Sequence, residues 1–313
     1  MNNEVSVIIP VYNASLFLEK AVHSAIGFDE VKEIILVEDR STDNSLEICE
    51  KLAFTHSKIK LFQHPDRGNH GAGATRNLGI KKATGTFVSF LDADDYYLPN
   101  RFNAEKEIFK NSKIEGVFGA LGVEYITEKG KEEYQAKFKN TPLTTVNYPA
   151  EGEEVFKGLL GLTPRIFGTF FHLNTLTLRK SALEKHNLRF NANLRVHQDS
   201  EFIIRLAYHC YLKAGIIDKA VAVRGIHDDN RITKIIQYSP QYNQRQYVYW
   251  KSIYDWAIGE KSLPLAAKKR IYLIYKSFDL SQKKGAVKYG YILFESIKNP
   301  DILRTQYRFN YLK

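Results

Sequence analysis

Cysteine and methionine are scarce in this chain of 313 residues: Cys49, Cys210 and a single Met. Two thiols so far apart in sequence make neither a disulfide framework nor a zinc cluster, so both read as small buried hydrophobes in a reducing compartment. No apolar run approaches the ~18 residues that a membrane span needs. The opening segment MNNEVSVIIPVYN has no basic cluster ahead of its apolar stretch, so neither a secretory leader nor an anchor is expected there. These absences point to the cytoplasm. The glycine-rich stretch Gly68-Asn69-His70-Gly71-Ala72-Gly73 is not followed by Gly-Lys-Ser/Thr and lacks the third glycine of a dinucleotide fingerprint, which excludes both common phosphate loops. A nucleotide site, if there is one, is of another kind.

At 44% hydrophobic residues the chain can bury a sizeable core. The net charge of +10 is uneven, because residues 239–313 hold 14 Lys and Arg against 5 Asp and Glu, interleaved with Tyr, Phe and Trp. A basic aromatic surface of that kind suits nucleic acid, an anionic membrane, or solubility alone.

Strand-like runs alternate with helical spacing through the first half. Val5 to Pro10, Ile34 to Val37, Ile59 to Phe62 and Thr86 to Leu91 read as buried strands. Asn13 or Ser15 is expected to cap the helix after the first, and Ser41 or Thr42 the helix after the second. The glycine loop opens a helix to about Ala83, and another is expected from Pro99. Alternation at this pitch predicts an α/β fold with a mostly parallel sheet, whose functional loops gather at the strand C-termini. That rule makes neighbours of Tyr12, Asn13, Asp39, Arg76 and the aspartates after Leu91. A fifth strand is expected over Val117 to Ile126, a long polar excursion or flap over Thr127 to Pro149, a strand over Leu173 to Leu178 and a last one over Val221 to Ile226. Beyond Ser239 the pattern turns helical.

Asp92-Ala93-Asp94-Asp95 sits where the Thr86 to Leu91 strand ends. Three carboxylates in four residues repel one another, and a hard divalent cation such as Mg²⁺ or Mn²⁺ relieves that repulsion. An acidic turn capping the next helix is the other reading of the same residues. Gln198-Asp199-Ser200-Glu201-Phe202 starts a further helix, where an acidic residue is ordinarily a cap.

Together, Val7-Ile8-Ile9-Pro10-Val11-Tyr12-Asn13, Val37-Glu38-Asp39-Arg40-Ser41-Thr42-Asp43, Ala74-Thr75-Arg76-Asn77, Asp92-Ala93-Asp94-Asp95 and Gln198-Asp199-Ser200-Glu201-Phe202 resemble the motifs of family 2 glycosyltransferases with the GT-A fold, in the family's order. The resemblance covers roughly the first 230 residues and stops near Ser239. It implies a Rossmann-like, mixed but mostly parallel sheet flanked by helices, with a C-terminal helical subdomain. The expected division is a glycosyltransferase domain over 1–238, its donor-binding half about 1–125 and its acceptor half about 126–238, followed by a basic, aromatic-rich subdomain over 239–313.

The resemblance further implies nucleotide contacts at Pro10, Tyr12, Asn13, Asp39, Arg76 and Asp92, with Asp39 accepting from the uracil ring N–H. Asp94 matches the direct metal ligand of the Asp-X-Asp signature, with Asp92 on the ribose or the metal's water and Asp95 behind them. His227 lies where some GT-A enzymes place a histidine on the metal or diphosphate; a solvent-facing or hydrogen-bonded histidine is the alternative. Asp199 matches the general base of an inverting transfer. His172 lies close to the presumed acceptor side. The implied activity moves a hexosyl or N-acetylhexosaminyl group from a nucleotide-diphosphate donor, UDP favoured, to a hydroxyl of a glycan or lipid-linked glycan, with Mn²⁺ or Mg²⁺ as cofactor. Envelope polysaccharide synthesis follows from the same resemblance; the basic aromatic tail itself suggests a peripheral foothold on an anionic membrane, with a solvated helical face or a homo-oligomer contact as the alternative, and no nucleic acid is expected.

Gln198 departs from the family, where many relatives carry an acidic residue, and Arg40 stands where a glycine is common. Two other classes compete. A sugar-phosphate nucleotidyltransferase also joins an α/β fold to metal-binding aspartates, but begins with a basic glycine loop where this chain has Val11-Tyr12-Asn13-Ala14. A non-catalytic nucleic-acid module would use the basic tail, without any recognition motif to support it.

Overall fold

In the computed structural model, which describes residues 1, 4–138, 143–168, 170–228 and 236–312, the chain divides into two compact units, Met1–Leu159 with Thr163–Asn230 and Leu160–Leu162 with Arg231–Lys313. The first unit runs β1 (Val5–Val11), α1 (Leu18–Ile26), β2 (Val31–Glu38), α2 (Ser45–Thr55), β3 (Ile59–Gln63), α3 (Ala72–Lys82), β4 (Phe87–Phe90), β5 (Asp95–Tyr97), α4 (Asn103–Ile108), β6 (Gly116–Phe118), β7 (Ala120–Tyr125), α5 (Glu128–Phe138) and α6 (Glu153–Leu159). It continues through a 3₁₀ turn (Leu173–Thr175), β8 (Thr177–Arg179), α7 (Lys180–Lys185), α8 (Gln198–His209), β9 (Leu212–Ala214) and β10 (Ala220–Ile226).

Among the described residues a seven-stranded sheet has the order β3-β2-β1-β4-β8-β6-β9, and a three-stranded sheet the order β5-β10-β7. β1 runs parallel to β2 and β4, and β2 to β3, while β8 is antiparallel to both its neighbours. The result is the expected mixed, mostly parallel sheet flanked by helices. β1 and β2 are buried on both faces, which is why their sequences are near-continuous Val and Ile rather than alternating. Val7, Ile9 and Val11 share a core with Leu18, Ala21, Val22 and Ala25 of α1. On the other face α3 comes so close that a methyl built on Gly79 would lie 2.3 Å from Ile8 Cγ2. The parallel register pairs Val5 with Phe87 and Ile8 with Phe90. The loops leaving β1 and β4 therefore emerge on the same edge.

Several expected elements differ. The helix after β1 starts at Leu18, and Asn13 caps nothing: its Oδ1 accepts from Thr42 N at 2.7 Å. α2 starts at Ser45, and the carboxylate of Asp43, rather than Ser41 or Thr42, takes the bonds there, from Ser45 N and Ser15 N, both at 3.0 Å. Burial pushes that acid up but these hydrogen bonds outweigh it, and its pKa falls to about 2. The helix expected from Pro99 starts at Asn103, and the residues after Asp94 first make β5. The expected strand over Val117 to Ile126 is two strands in two sheets. They part at Gly119, where a side chain would meet Ile216 O at 2.9 Å. The stretch read as a flap over Thr127 to Pro149 begins with α5; residues 139–142 lie outside the described residues. Leu173 to Thr175 coils before β8 begins.

The second unit is helical: α9 (Pro240–Gly259), α10 (Leu265–Ser281), α11 (Gly285–Lys298) and α12 (Phe309–Leu312). α9 begins seven residues before the expected Tyr247, on a signal that is local: Ser239 Oγ accepts from Tyr242 N at 3.1 Å and Pro240 fills the first turn. Ile271, Ile274 and Phe278 of α10 are buried, and Tyr254 and Tyr275 stack at 4.5 Å between α9 and α10.

Candidate active site

Three loops at the C-terminal edge of the parallel strands meet here. Asn13, at φ 49°, ties the loop after β1 to the loop after β2 through Ser41 and Thr42. Pro10 pairs with Val37 inside β1, and Tyr12 stands half-exposed beside them. Asp39 follows β2 and is only 2% exposed. Its Oδ1 accepts from His70 N and its Oδ2 from Gly71 N, each at 2.8 Å. A carboxylate offers about four lone-pair positions, so this one both shapes the glycine loop and keeps acceptor capacity. Arg40, at φ 61°, points its side chain outward.

Gly71 must be glycine on two counts. Its φ of 80° disfavours a side chain, and a methyl there would fall 2.5 Å from Arg195 Nη1. Arg195 also donates to Asn69 Oδ1 at 3.2 Å, so the segment leading into α8 lies across the glycine loop. Asn77 of α3 fastens the same segment: its Nδ2 donates to Phe190 O and its Oδ1 accepts from Phe190 N. Gly73 leaves room for Asn191 and Gln198. These bonds hold the segment leading into α8, and with it Asp199 in the helix's first turn, against α3 and the glycine loop. His197, at φ 60°, precedes that helix and makes no side-chain cap bond.

Arg76 projects from α3 and is nearly buried; its Nη2 donates to Asp92 Oδ1 at 2.5 Å. Burial disfavours the Asp92 carboxylate, but Arg76, His172 and Arg224 outweigh it and hold the group below its ordinary range. Asp92 N donates to Asn174 Oδ1 at 3.0 Å, and Asn174 Nδ2 donates to Asp95 Oδ2 at 2.5 Å. Asp95 is buried and also accepts from Gly225 N at 3.0 Å. Burial first, then the charges of Asp94 and Asp92, push its pKa well up. Asp95 is thus held between two elements. Asp94 is over a third exposed, and His227 Nε2 lies 3.4 Å from its Oδ2, at the end of β10. The His227 ring packs on Phe17 at 4.7 Å, and Gly130 of α5 approaches the His227 backbone.

His172 lies beside Asp92 and Asp95. Its Nδ1 accepts from Asn174 N at 3.3 Å, which leaves the proton of the neutral ring on Nε2, 3.9 Å from Asp92 Oδ2. Burial, with Arg224 and Arg76, holds its pKa at about 4 against the opposing charges of Asp92 and Asp199. Asp199 is thus near enough to act electrostatically on the imidazole that lies beside Asp92.

Among the described residues, two acceptor sets at this edge could hold a cation, apart from a further group of Glu115, His186 and Cys210. Asp92, Asp95 and His172 offer ligand atoms within 4.8 Å of one another, but both oxygens of Asp95 are already hydrogen-bonded. Asp94 with His227, next to Asp92, is the more open set, and hard oxygens with one imidazole suit Mn²⁺ or Mg²⁺. Sequence reasoning missed Asn174 and Arg224, which have no motif, and the buried Arg101 beneath them. Arg101 Nε donates to Asn174 O at 2.9 Å, and its guanidinium pairs with Glu105 at 2.5 Å.

Residues 6–173 match the family model described as Glycosyl transferase family 2. The chain is 32% identical over 223 residues to a cholesterol galactosyltransferase of Borreliella burgdorferi, covering 67% of this chain and 56% of that one. It spans only 36% of an uncharacterized glycosyltransferase of Haemophilus influenzae, at 39% identity over 94 residues. Among solved structures, S. aureus TarS 1-349 in complex with UDP-GlcNAc superposes with a TM-score of 0.62 at 20% identity, over 92% of this chain and 78% of that one. The mannosyltransferase PcManGT from Pyrobaculum calidifontis, in complex with GDP-Man and Mn²⁺, gives 0.53 at 15% identity, over 99% and 85%.

Proposed function

The chain belongs to glycosyl transferase family 2, and from that premise we propose that it moves a sugar from a nucleotide-diphosphate donor, UDP-linked by preference, to a hydroxyl of a glycan or lipid-linked glycan, inverting the anomeric carbon. The observation that carries this reading is His172, whose ring is acted on by Asp92 and by Asp199 together. That influence, with Arg195 of the approach to α8 bonded to Asn69 of the glycine loop, supports a donor-side carboxylate and a base serving one cleft. The resemblance to a TarS structure that contains UDP-GlcNAc supports a nucleotide sugar of that kind.

In this reading Tyr12, Pro10 and Asn13 line the nucleoside, and Asp39 turns its remaining acceptor capacity to the base. Arg76 keeps Asp92 ionised and oriented for the ribose. Asp94 and His227, with Asp92, are the residues that would hold Mn²⁺ or Mg²⁺. Such an ion, when bound, supplies Lewis-acid stabilisation of the departing diphosphate's charge. Asp199 accepts the proton of the acceptor hydroxyl as that oxygen attacks the anomeric carbon from the side opposite the diphosphate. The C–O bond to the diphosphate breaks as the new one forms, and the nucleoside diphosphate leaves with the electron pair. We place the reaction on the cytoplasmic side of the cell envelope.

The test is a panel of UDP- and GDP-sugars with the wild type and Asp199→Asn. Sugar transfer by the variant should fall by about 10²–10⁴ fold, the range for loss of a general base, while thermal stabilisation by the donor persists. A fully active variant removes Asp199 from the mechanism. A wild type stabilised by no nucleotide sugar removes the reading altogether.

A further inference from the structure

α11 presents an unusual surface. Val287, Phe294, Leu293 and Ile297 are 64%, 55%, 65% and 74% exposed, and Tyr291 is half-exposed. With Ala286 and Gly290 they recur at helical spacing and form one broad apolar stripe facing outward. Isolated exposed aliphatics are ordinary, but a contiguous stripe of them marks an interaction surface.

The exposed charges along α11 are of one sign, and Asp301, in the turn just after it, is paired with Lys269. Between residues 280 and 300 Glu295 is the sole acid. It is turned inward, 4% exposed, and accepts from Tyr272 Oη at 2.5 Å and Asn299 Nδ2 at 2.8 Å. Asp279, just before, is also buried and paired with Lys276 and Lys283. Lys284 at the N-cap, the half-buried Lys288 and the exposed Lys298 therefore flank the outward face of α11 with no carboxylate among them. Lys298 Nζ lies 4.2 Å from the Phe294 ring centroid and Lys283 Nζ 5.4 Å from that of Tyr291. Cations beside rings at the border of an apolar face are the arrangement that an acyl–headgroup boundary accommodates.

We propose that α11 is an interfacial helix, laying Val287, Phe294, Leu293 and Ile297 into an anionic lipid surface while its lysines meet the headgroup phosphates. Charge decides between this partner and two others. A second copy docking face to face brings lysines against lysines, with no acid to relieve them. Nucleic acid answers the lysines but leaves the aliphatic stripe in water, since its contacts are to phosphates and base edges. An anionic bilayer satisfies both halves of the surface at once. The inference concerns only the second unit and stands apart from the donor and base assignments.

Co-sedimentation of the full chain with vesicles tests it. The wild type should pellet with mixed phosphatidylglycerol–phosphatidylcholine vesicles at low salt, weakly at high salt, and hardly at all with phosphatidylcholine alone. Phe294→Ser combined with Ile297→Ser, and separately Lys284→Glu combined with Lys288→Glu, should each weaken partitioning by at least about tenfold. Three of the four positions are exposed and Lys288 is half-buried, none of them in the core, so circular dichroism of both variants should match the wild type. No pelleting of the wild type with anionic vesicles overturns the proposal, as does unchanged binding by folded variants. Sedimentation equilibrium showing a dimer that F294S/I297S dissolves assigns the stripe to a second copy and overturns it too.

Discussion

Replacing Arg76 with methionine keeps the bulk of the side chain and removes its charge. The pair it breaks is close, 2.5 Å from Arg76 Nη2 to Asp92 Oδ1, with side chains 7% and 26% exposed. Breaking a buried pair from one side costs about 3–5 kcal/mol, because the other charge is left stranded. Asp92 is a quarter exposed and still feels Arg224, so the expected loss is about 2–3 kcal/mol at neutral pH. The sign with pH follows from the direction of the shift. In the wild type the depressed Asp92 acid contributes stability that is present above the ordinary carboxylate range and lost as pH falls through its lowered pKa. In R76M the same acid is buried with less compensation, so its pKa rises and the penalty shrinks as acid protonates it. Urea denaturation at neutral and mildly acidic pH should show the gap between R76M and wild type narrowing toward acid. Adding Asp92→Asn to R76M should recover about 1–2 kcal/mol, the stranded charge being gone. A double variant no more stable than R76M alone, or an R76M within about 0.5 kcal/mol of wild type, refutes the assignment of this pair.

Gly79→Ala should cost about 1–3 kcal/mol by thermal or urea denaturation, since its methyl would overlap Ile8 Cγ2 at 2.3 Å inside a packed layer. Asp39→Asn can accept from only one of the two amides it now serves, His70 N and Gly71 N. A loss of about 1–3 kcal/mol and weaker UDP binding by calorimetry are expected. His172→Gln should flatten the wild type's stability loss in acid. With a folded pKa of about 4, the histidine withholds a proton that the unfolded chain binds below about 6.5. Stability should thus fall between these two values in the wild type, and less steeply in the variant, when unfolding is followed across that range.

The early strands were legible because burial on both faces leaves a run of Val and Ile that no other element explains, as in β1 and β2. α3 was legible from Gly71, and the aspartates after β4 from charge crowding. The stretch over Thr127 to Pro149 was not, because the helical spacing of α5 is masked by a polar surface with only Gly130 and Tyr134 buried. Neither was the break at Gly119, which depends on Ile216 arriving from the distant loop between β9 and β10. Asn174 offered no signal either, as it matters only through partners at Asp92 and Asp95 far away in the chain.

The order of strands and helices, the glycine loop and the acidic turn were determined by the sequence itself, since each rests on residues within a few positions of one another. Which carboxylate faces what was decided by tertiary structure alone. Asp39 is engaged by loop amides, Asp95 is buried behind Asn174, Asp94 is open to His227, and Asp92 and Asp199 share His172. Five chemically identical groups acquire different roles because a strand order of β3-β2-β1-β4-β8 sets their distances to one another and to water, and those distances govern ionisation and binding.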